Sequence, residues 1–126
     1  MISRRSIFTA AFWAAFFVPR RARAHSWYGD REDPKLHMPC CGEHDCNVFP
    51  FVLGETLFPT EEGYRVVLAV DQCRRINKDA TQPIDAIVEW SRIQQSEDGR
   101  WHICIAAEYR KSPHFGVYCL FEPASI

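Results

Sequence analysis

No stretch of the 126 residues reaches the ~20 consecutive apolar positions that a membrane-spanning helix needs. The longest apolar or small run is IFTAAFWAAFFV, Ile7 to Val18. No window carries an apolar stripe of helical period longer than about two turns, so any helices are short. Internal repeats and low-complexity tracts are absent, which leaves a single compact domain. There is no C-x-x-C pair, which argues against thioredoxin-type redox chemistry. Nor is there a G-x-S-x-G elbow for Ser-His-Asp hydrolysis, or a pair of acidic residues with the spacing of a glycosidase. Beyond residue 24 basic clusters are missing too, which argues against nucleic acid or an anionic membrane as a partner.

What stands before residue 25 has its own pattern. Arg4 and Arg5 precede the run Ile7 to Val18, and Pro19 and then Ala22-Arg23-Ala24 follow it. A basic start, an apolar core of ~7 to 15 residues and a small-x-small site are the marks of a secretory signal peptide. Residues 1–24 are therefore expected to be removed, leaving 25–126 as the mature domain in the periplasm or outside the cell. Ser3-Arg4-Arg5-Ser6-Ile7-Phe8 also matches the twin-arginine export signal, and Arg20, Arg21 and Arg23 near the cut suit that route. The cut changes the charge: five of the 15 basic residues precede it and all 16 acidic residues follow it, so the formal charge moves from −1 to −6. Such a surface favours solubility and attracts cations or a basic partner.

The mature chain reads as mainly β: a small antiparallel sheet, rolled or sandwiched, with an irregular, disulfide-tied N-terminal arm. The arm, His25 to Gly42, is turn-rich, with Gly29-Asp30 and Asp33-Pro34 as breakers. Val48 to Leu53 is apolar but contains Pro50, which marks an edge strand or extended segment. Glu61-Glu62-Gly63 is a turn before the β-branched run Tyr64 to Val70, and Ile84 to Trp90 follows Pro83. Asp98-Gly99 separates RIQQ from RWHICIA and predicts a β-hairpin. On its second strand Trp101, Ile103 and Ile105 share one face, the expected core side, and Arg100, His102 and Cys104 the other. Val117 to Phe121 is the last strand.

Six cysteines, Cys40, Cys41, Cys46, Cys73, Cys104 and Cys119, all lie after the cut. An even number in an oxidising compartment predicts three disulfides, with 15 connectivities left open. Adjacent Cys40 and Cys41 are expected to reach different partners. Cys104 and Cys119 suit a bond between neighbouring strands, with the N-terminal cluster clamped to Cys73 or to itself. Zinc at Cys41 and Cys46 with His37 and His44 lacks the second ligand pair of a usual knuckle. A different metal site starts at His25, whose free α-amine and imidazole would follow from cleavage after Ala24. With His102 or His44 as a further ligand, such a nitrogen set suits copper. His114 reads as a loop residue, and the aromatic residues Trp27, Tyr28, Trp90, Trp101, Tyr109 and Phe115 as core or as a platform for a carbohydrate or peptide.

His25-Ser26-Trp27-Tyr28, Cys40-Cys41, Asp45-Cys46, Gly63-Tyr64, Asp98-Gly99-Arg100-Trp101-His102, Cys104 and Cys119-Leu120-Phe121 form a pattern along nearly the whole mature chain. It resembles a family of short exported bacterial proteins of unknown function. The run GDREDPKLHMP is longer here than in that pattern, and Cys73 lies outside it. The resemblance implies an exported single domain and no activity. The features together predict a disulfide-stabilised domain that binds a protein or small-molecule partner without catalysing a reaction. A periplasmic copper protein built on His25 is the alternative.

Overall fold

The strands are short because proline, glycine and polar turns recur every few residues, and their lengths follow those breaks. The computed structural model describes residues 27–41, 45–108 and 114–124. Among these residues, seven strands and one α-helix run in the order β1 (Asp45–Val48), β2 (Leu57–Pro59), β3 (Gly63–Leu68), α1 (Val70–Ile76), β4 (Ile84–Glu89), β5 (Ile93–Gln95), β6 (His102–Ile105) and β7 (Val117–Glu122). They form a three-stranded sheet, β2-β3-β4, and a four-stranded sheet, β1-β6-β7-β5. The fold is mainly β, as the strand pattern predicts. Among the described residues no helix is long and apolar enough to cross a membrane.

The three-stranded sheet is antiparallel throughout. Thr60 makes its first turn: its hydroxyl donates to the Gly63 carbonyl at 2.7 Å and accepts from the Gly63 N–H at 3.1 Å. Along β4, Ile84, Ala86 and Val88 are buried while Asp85, Ile87 and Glu89 are exposed, the period-two pattern of a strand with one dry face. Helix α1 connects β3 to β4. Gln72 reaches back to the Ala69 N–H at 2.8 Å, Asp71 stands in the first turn, and Arg74 and Arg75 stand in the last. Each of these complements the partial charge of its helix end. Cys73 and Ile76 are buried and join the main core, which also holds Leu57, Val66, Leu68, Val88, Ile103, Ile105, Val117 and Leu120.

The four-stranded sheet departs from the expected hairpin. β5 and β6 do not pair: β7 lies between them, antiparallel to β6 and parallel to β5, with Ile93 opposite Leu120 and Ile103 opposite Leu120 from the other side. Asp98-Gly99 is still a bend, and Gly99 has φ +76. It serves a connection that carries the chain past β7. The reason is burial: Val117 to Phe121 is wholly buried, and a central position covers both its edges and both its faces. β1 is an edge strand, and the expected edge strand or extended segment Val48 to Leu53 shares only Val48 with it: beyond Val48 the chain is irregular apart from a bridge at Leu53.

Gly63 is required by close approach. It lies opposite Glu89, and a Cβ at this position would stand 2.0 Å from the Val88 carbonyl oxygen and 2.7 Å from the Glu89 Cα. Those atoms are backbone and cannot turn aside. Gly63→Ala should therefore lower the unfolding free energy by about 1 to 3 kcal/mol, the range for forcing extra atoms into a packed site. Urea unfolding followed by tryptophan fluorescence checks this, and an unchanged midpoint would contradict the packing described.

Candidate functional site

Alternation along β6 sends its side chains to two different interiors. Ile103 and Ile105 enter the main core, with Trp101 packed at its margin. His102 and Cys104 turn the other way, and that face is also buried, because the arm lies over it. The described part of the arm opens with a 3-10 turn at residues 27–30. Its Trp27 meets Phe121 edge-on at 4.9 Å and His102 at 5.0 Å between ring centroids. The Arg31 guanidinium sits 5.3 Å from the Trp27 ring and pairs with Glu97 at 2.6 Å.

Deeper in the arm, Asp33 is 1% exposed and Arg92 is 5% exposed. Arg92 Nε donates to Asp33 Oδ2 at 2.5 Å, and Arg92 Nη2 donates to the Val117 carbonyl at 2.8 Å. Asp33 Oδ1 accepts from the N–H groups of Lys35 and Leu36, both at 2.9 Å. Every polar atom of this pair that faces the interior thus has a partner, the condition under which a buried ion pair is tolerated.

His102 is 4% exposed and is held at both ring nitrogens. Nδ1 bonds the Tyr28 hydroxyl, and Nε2 lies 2.8 and 2.9 Å from the two Asp98 oxygens. Burial works to raise the Asp98 carboxyl, but hydrogen bonds from His102 and Arg100 outweigh it and hold the group below the usual carboxylate range. The Tyr28 phenol is pushed up to about 12, first by burial and then by the nearby Asp98 and Cys41. Asp98 is therefore an anion at neutral pH and Tyr28 a neutral hydroxyl. Asp98, without a proton, accepts from Nε2–H, and the direction of the bond between Nδ1 and the Tyr28 hydroxyl follows the tautomer of the ring. The order Tyr-His-Asp resembles a nucleophile relay in outline, but a phenol raised in this way is a weak nucleophile. The chain of bonds holds the arm to β6.

The sulfurs gather on the same face. Cys40 bonds Cys119 and Cys46 bonds Cys104. These bonds link the arm to β7 and β1 to β6. Cys104 and Cys119 are register neighbours, as expected, yet each bonds elsewhere. The expected third disulfide is not formed: Cys41 and Cys73 are free thiols. They belong to different interiors, Cys41 beside the arm and Cys73 in the main core, so the clamp to Cys73 does not arise. Burial, and after it Asp45, raises the Cys41 thiol, and burial pushes the Cys73 thiol up to about 11.

At the other end of β6 is a hollow of about 340 Å³, lined by Val48, Phe49, Pro50, Phe51, Trp101 and Pro123 with Arg100 at its edge. Its aromatic walls brace one another edge-on, Phe49 to Phe51 at 4.9 Å and Phe51 to Trp101 at 5.4 Å, and Tyr64, outside the lining, backs Trp101 at 5.5 Å. Arg100 is engaged by Asp98 at 3.1 and 3.2 Å.

Of the metal candidates, His25 and His44 lie outside the described residues, as does the expected leader 1–24. His102 would have to give up Tyr28 or Asp98 before it could ligate. His37 is exposed, with φ 58, and its Nδ1 pairs with Glu32 at 2.9 Å. Among the described residues no group of three His, Cys, Asp or Glu is placed to hold a metal. The sequence does not reveal the ion pair of Asp33 with Arg92 or the partnership of Tyr28 and Asp98 with His102. No local signal joins Tyr28 to a histidine 74 residues away. No family model, curated protein or solved structure matches the chain.

A phenol with a folded value of about 12 and an ordinary value of 10.0 contributes stability that is whole below pH 10 and is lost as pH rises towards 12. About 1.4 kcal/mol should be gone by about pH 11. Tyr64, Cys41 and Cys73 are shifted the same way and remain in a Tyr28→Phe variant. Urea unfolding at about pH 9 and about pH 11 should therefore show a smaller alkaline loss in Tyr28→Phe than in the parent. Equal losses would contradict the burial of Tyr28.

Proposed function

We propose that residues 25–126 form an exported, disulfide-stabilised binding domain, and that the hollow beside Trp101 holds a small, uncharged, apolar or aromatic molecule. The observation that carries this reading is the hollow itself. Its volume of about 340 Å³ falls in the range of about 300 to 1,000 Å³ typical of small-molecule sites. Its lining is carbon-rich, and the aromatic frame of Phe49, Phe51, Trp101 and Tyr64 is fixed by mutual edge contacts, so little order has to be gained on binding. The one cationic side chain at its edge is already held by Asp98, which disfavours an anionic ligand. Export is supported by the two disulfides, which persist in oxidising compartments, and by the signal-like pattern before residue 25.

The neutral fluorescent probe N-phenyl-1-naphthylamine tests the site. It should bind the parent protein saturably. Val48→Lys and Pro123→Glu, which bring a charge to the rim without removing the aromatic frame, should each weaken binding by about tenfold, or about 1.4 kcal/mol. Ile87→Ser, on the exposed outer face of β4, serves as the comparison and should leave binding unchanged. No saturable binding, or equal weakening by all three variants, would refute the site.

A further inference from the structure

Three strands and the arm bring five of the six sulfurs together. Cys46 and Cys104 are opposite each other across β1 and β6, and Cys104 and Cys119 across β6 and β7. Cys40 reaches from the arm to Cys119, which leaves its neighbour Cys41 unbonded. Cys41 is not remote from the bonds around it. Its Sγ lies 3.3 Å from the Sγ of Cys46, the sulfur already joined to Cys104. A thiol held against one sulfur of a disulfide is the arrangement that precedes exchange, since the reaction is attack of a thiolate on a disulfide sulfur.

We propose that Cys41, Cys46 and Cys104 form an intramolecular thiol–disulfide exchange site that switches the seam between arm and sheet from one pairing to another. Cys41 gives its proton to water, and its thiolate attacks Cys46 Sγ. The Cys41–Cys46 bond forms as the Cys46–Cys104 bond breaks, and Cys104 leaves as a thiolate that takes a proton from water. One thiol and one disulfide are present before and after, so no oxidant or reductant is consumed. The two states differ in what is tied. In the first, the disulfide staples β1 to β6. In the second, it closes the short loop from Cys41 to Cys46, and β1 keeps its ladder to β6 without a covalent tie. The thiol moves from half-buried Cys41 to wholly buried Cys104. The disulfide becomes one between two half-buried residues, which a small-molecule thiol reaches more readily. The Cys40–Cys119 bond takes no part and keeps the arm docked.

The groups facing Cys41 set the pace. The Asp45 carboxylate stands on β1 and the neutral Tyr28 hydroxyl on the arm, and burial together with Asp45 keeps the thiol protonated at neutral pH. Exchange is therefore slow there and quickens by about tenfold per pH unit while the thiolate is the minor form.

Protein purified without reductant is incubated at about pH 7 and about pH 9. It is then acid-quenched, unfolded and alkylated with N-ethylmaleimide, and the labelled cysteines are mapped by mass spectrometry. The parent should show label at Cys41 and a growing fraction at Cys104, accompanied by a Cys41–Cys46 disulfide, with faster growth at the higher pH. Cys41→Ser, a near-isosteric change, should show no label at Cys104. Cys73 gives the same label in both proteins and reports complete unfolding. Absence of Cys104 label in the parent at both pH values, or equal label in parent and Cys41→Ser, overturns the proposal.

Discussion

Asp33 and Arg92 meet where neither reaches water, and from that meeting the placement of the arm follows. The carboxylate turns the chain at Lys35 and Leu36 by accepting their N–H groups. The guanidinium, fixed just before β5, reaches the carbonyls of Val117 and Tyr118 at the start of β7. One ion pair thus joins the arm, the entry to β5 and the central strand β7. Leaving either charge without the other would cost about 3 to 5 kcal/mol, a large part of the stability of a domain this size. Cys40 lies seven residues beyond Asp33 and bonds Cys119, so the disulfide ties the same arm to the same strand that the ion pair joins. Each disulfide then adds ~2 to 4 kcal/mol by limiting the unfolded chain.

With the arm in place, β6 and β7 are covered on both faces. The main core lies between the two sheets, and a smaller one lies beneath the arm, built from Tyr28, Cys40, Cys104, Tyr118, Cys119 and Phe121. This second interior explains why His102 carries two partners. A buried imidazole must satisfy both nitrogens, and Tyr28 from the arm and Asp98 from the bend do so. It also explains the unequal cysteines: four sit where strands and arm converge, Cys41 is left over beside them, and Cys73 lies across the domain.

Much of the strand pattern was legible locally. β3, β4 and β7 overlap the β-branched or apolar runs bounded by glycine and proline, although the run Tyr64 to Val70 ends in α1, and the segment Val48 to Leu53 around Pro50 shares only Val48 with a strand. The β5–β6 hairpin was misread because Asp98-Gly99 is a sound local turn signal, whereas the insertion of β7 is a long-range event with no mark near the turn. The core face of β6 is legible in its alternation, but nothing in the sequence announces that an irregular arm will bury the opposite face, with His102 and Cys104, as well. Asp33 next to Pro34 looked like a breaker, and it is one; its second role depends on an arginine 59 residues away. Cysteine parity suggested three bonds, because a count carries no information about which interior each sulfur occupies.

The hollow beside Trp101 lies at the start of β6 and the sulfur seam at Cys104 further along it, so both depend on the strand being held between two cores. If the ion pair places the arm before the sulfurs bond, its loss should show in which bonds form. The direct measurement is oxidative refolding of the fully reduced parent and of Arg92→Met, with disulfides mapped by mass spectrometry. The parent should recover Cys40–Cys119 and Cys46–Cys104 as the main pairs. Arg92→Met should lose Cys40–Cys119 in favour of mixed pairings that draw in Cys41. Recovery of both native bonds in Arg92→Met with the parent's yield would contradict the account.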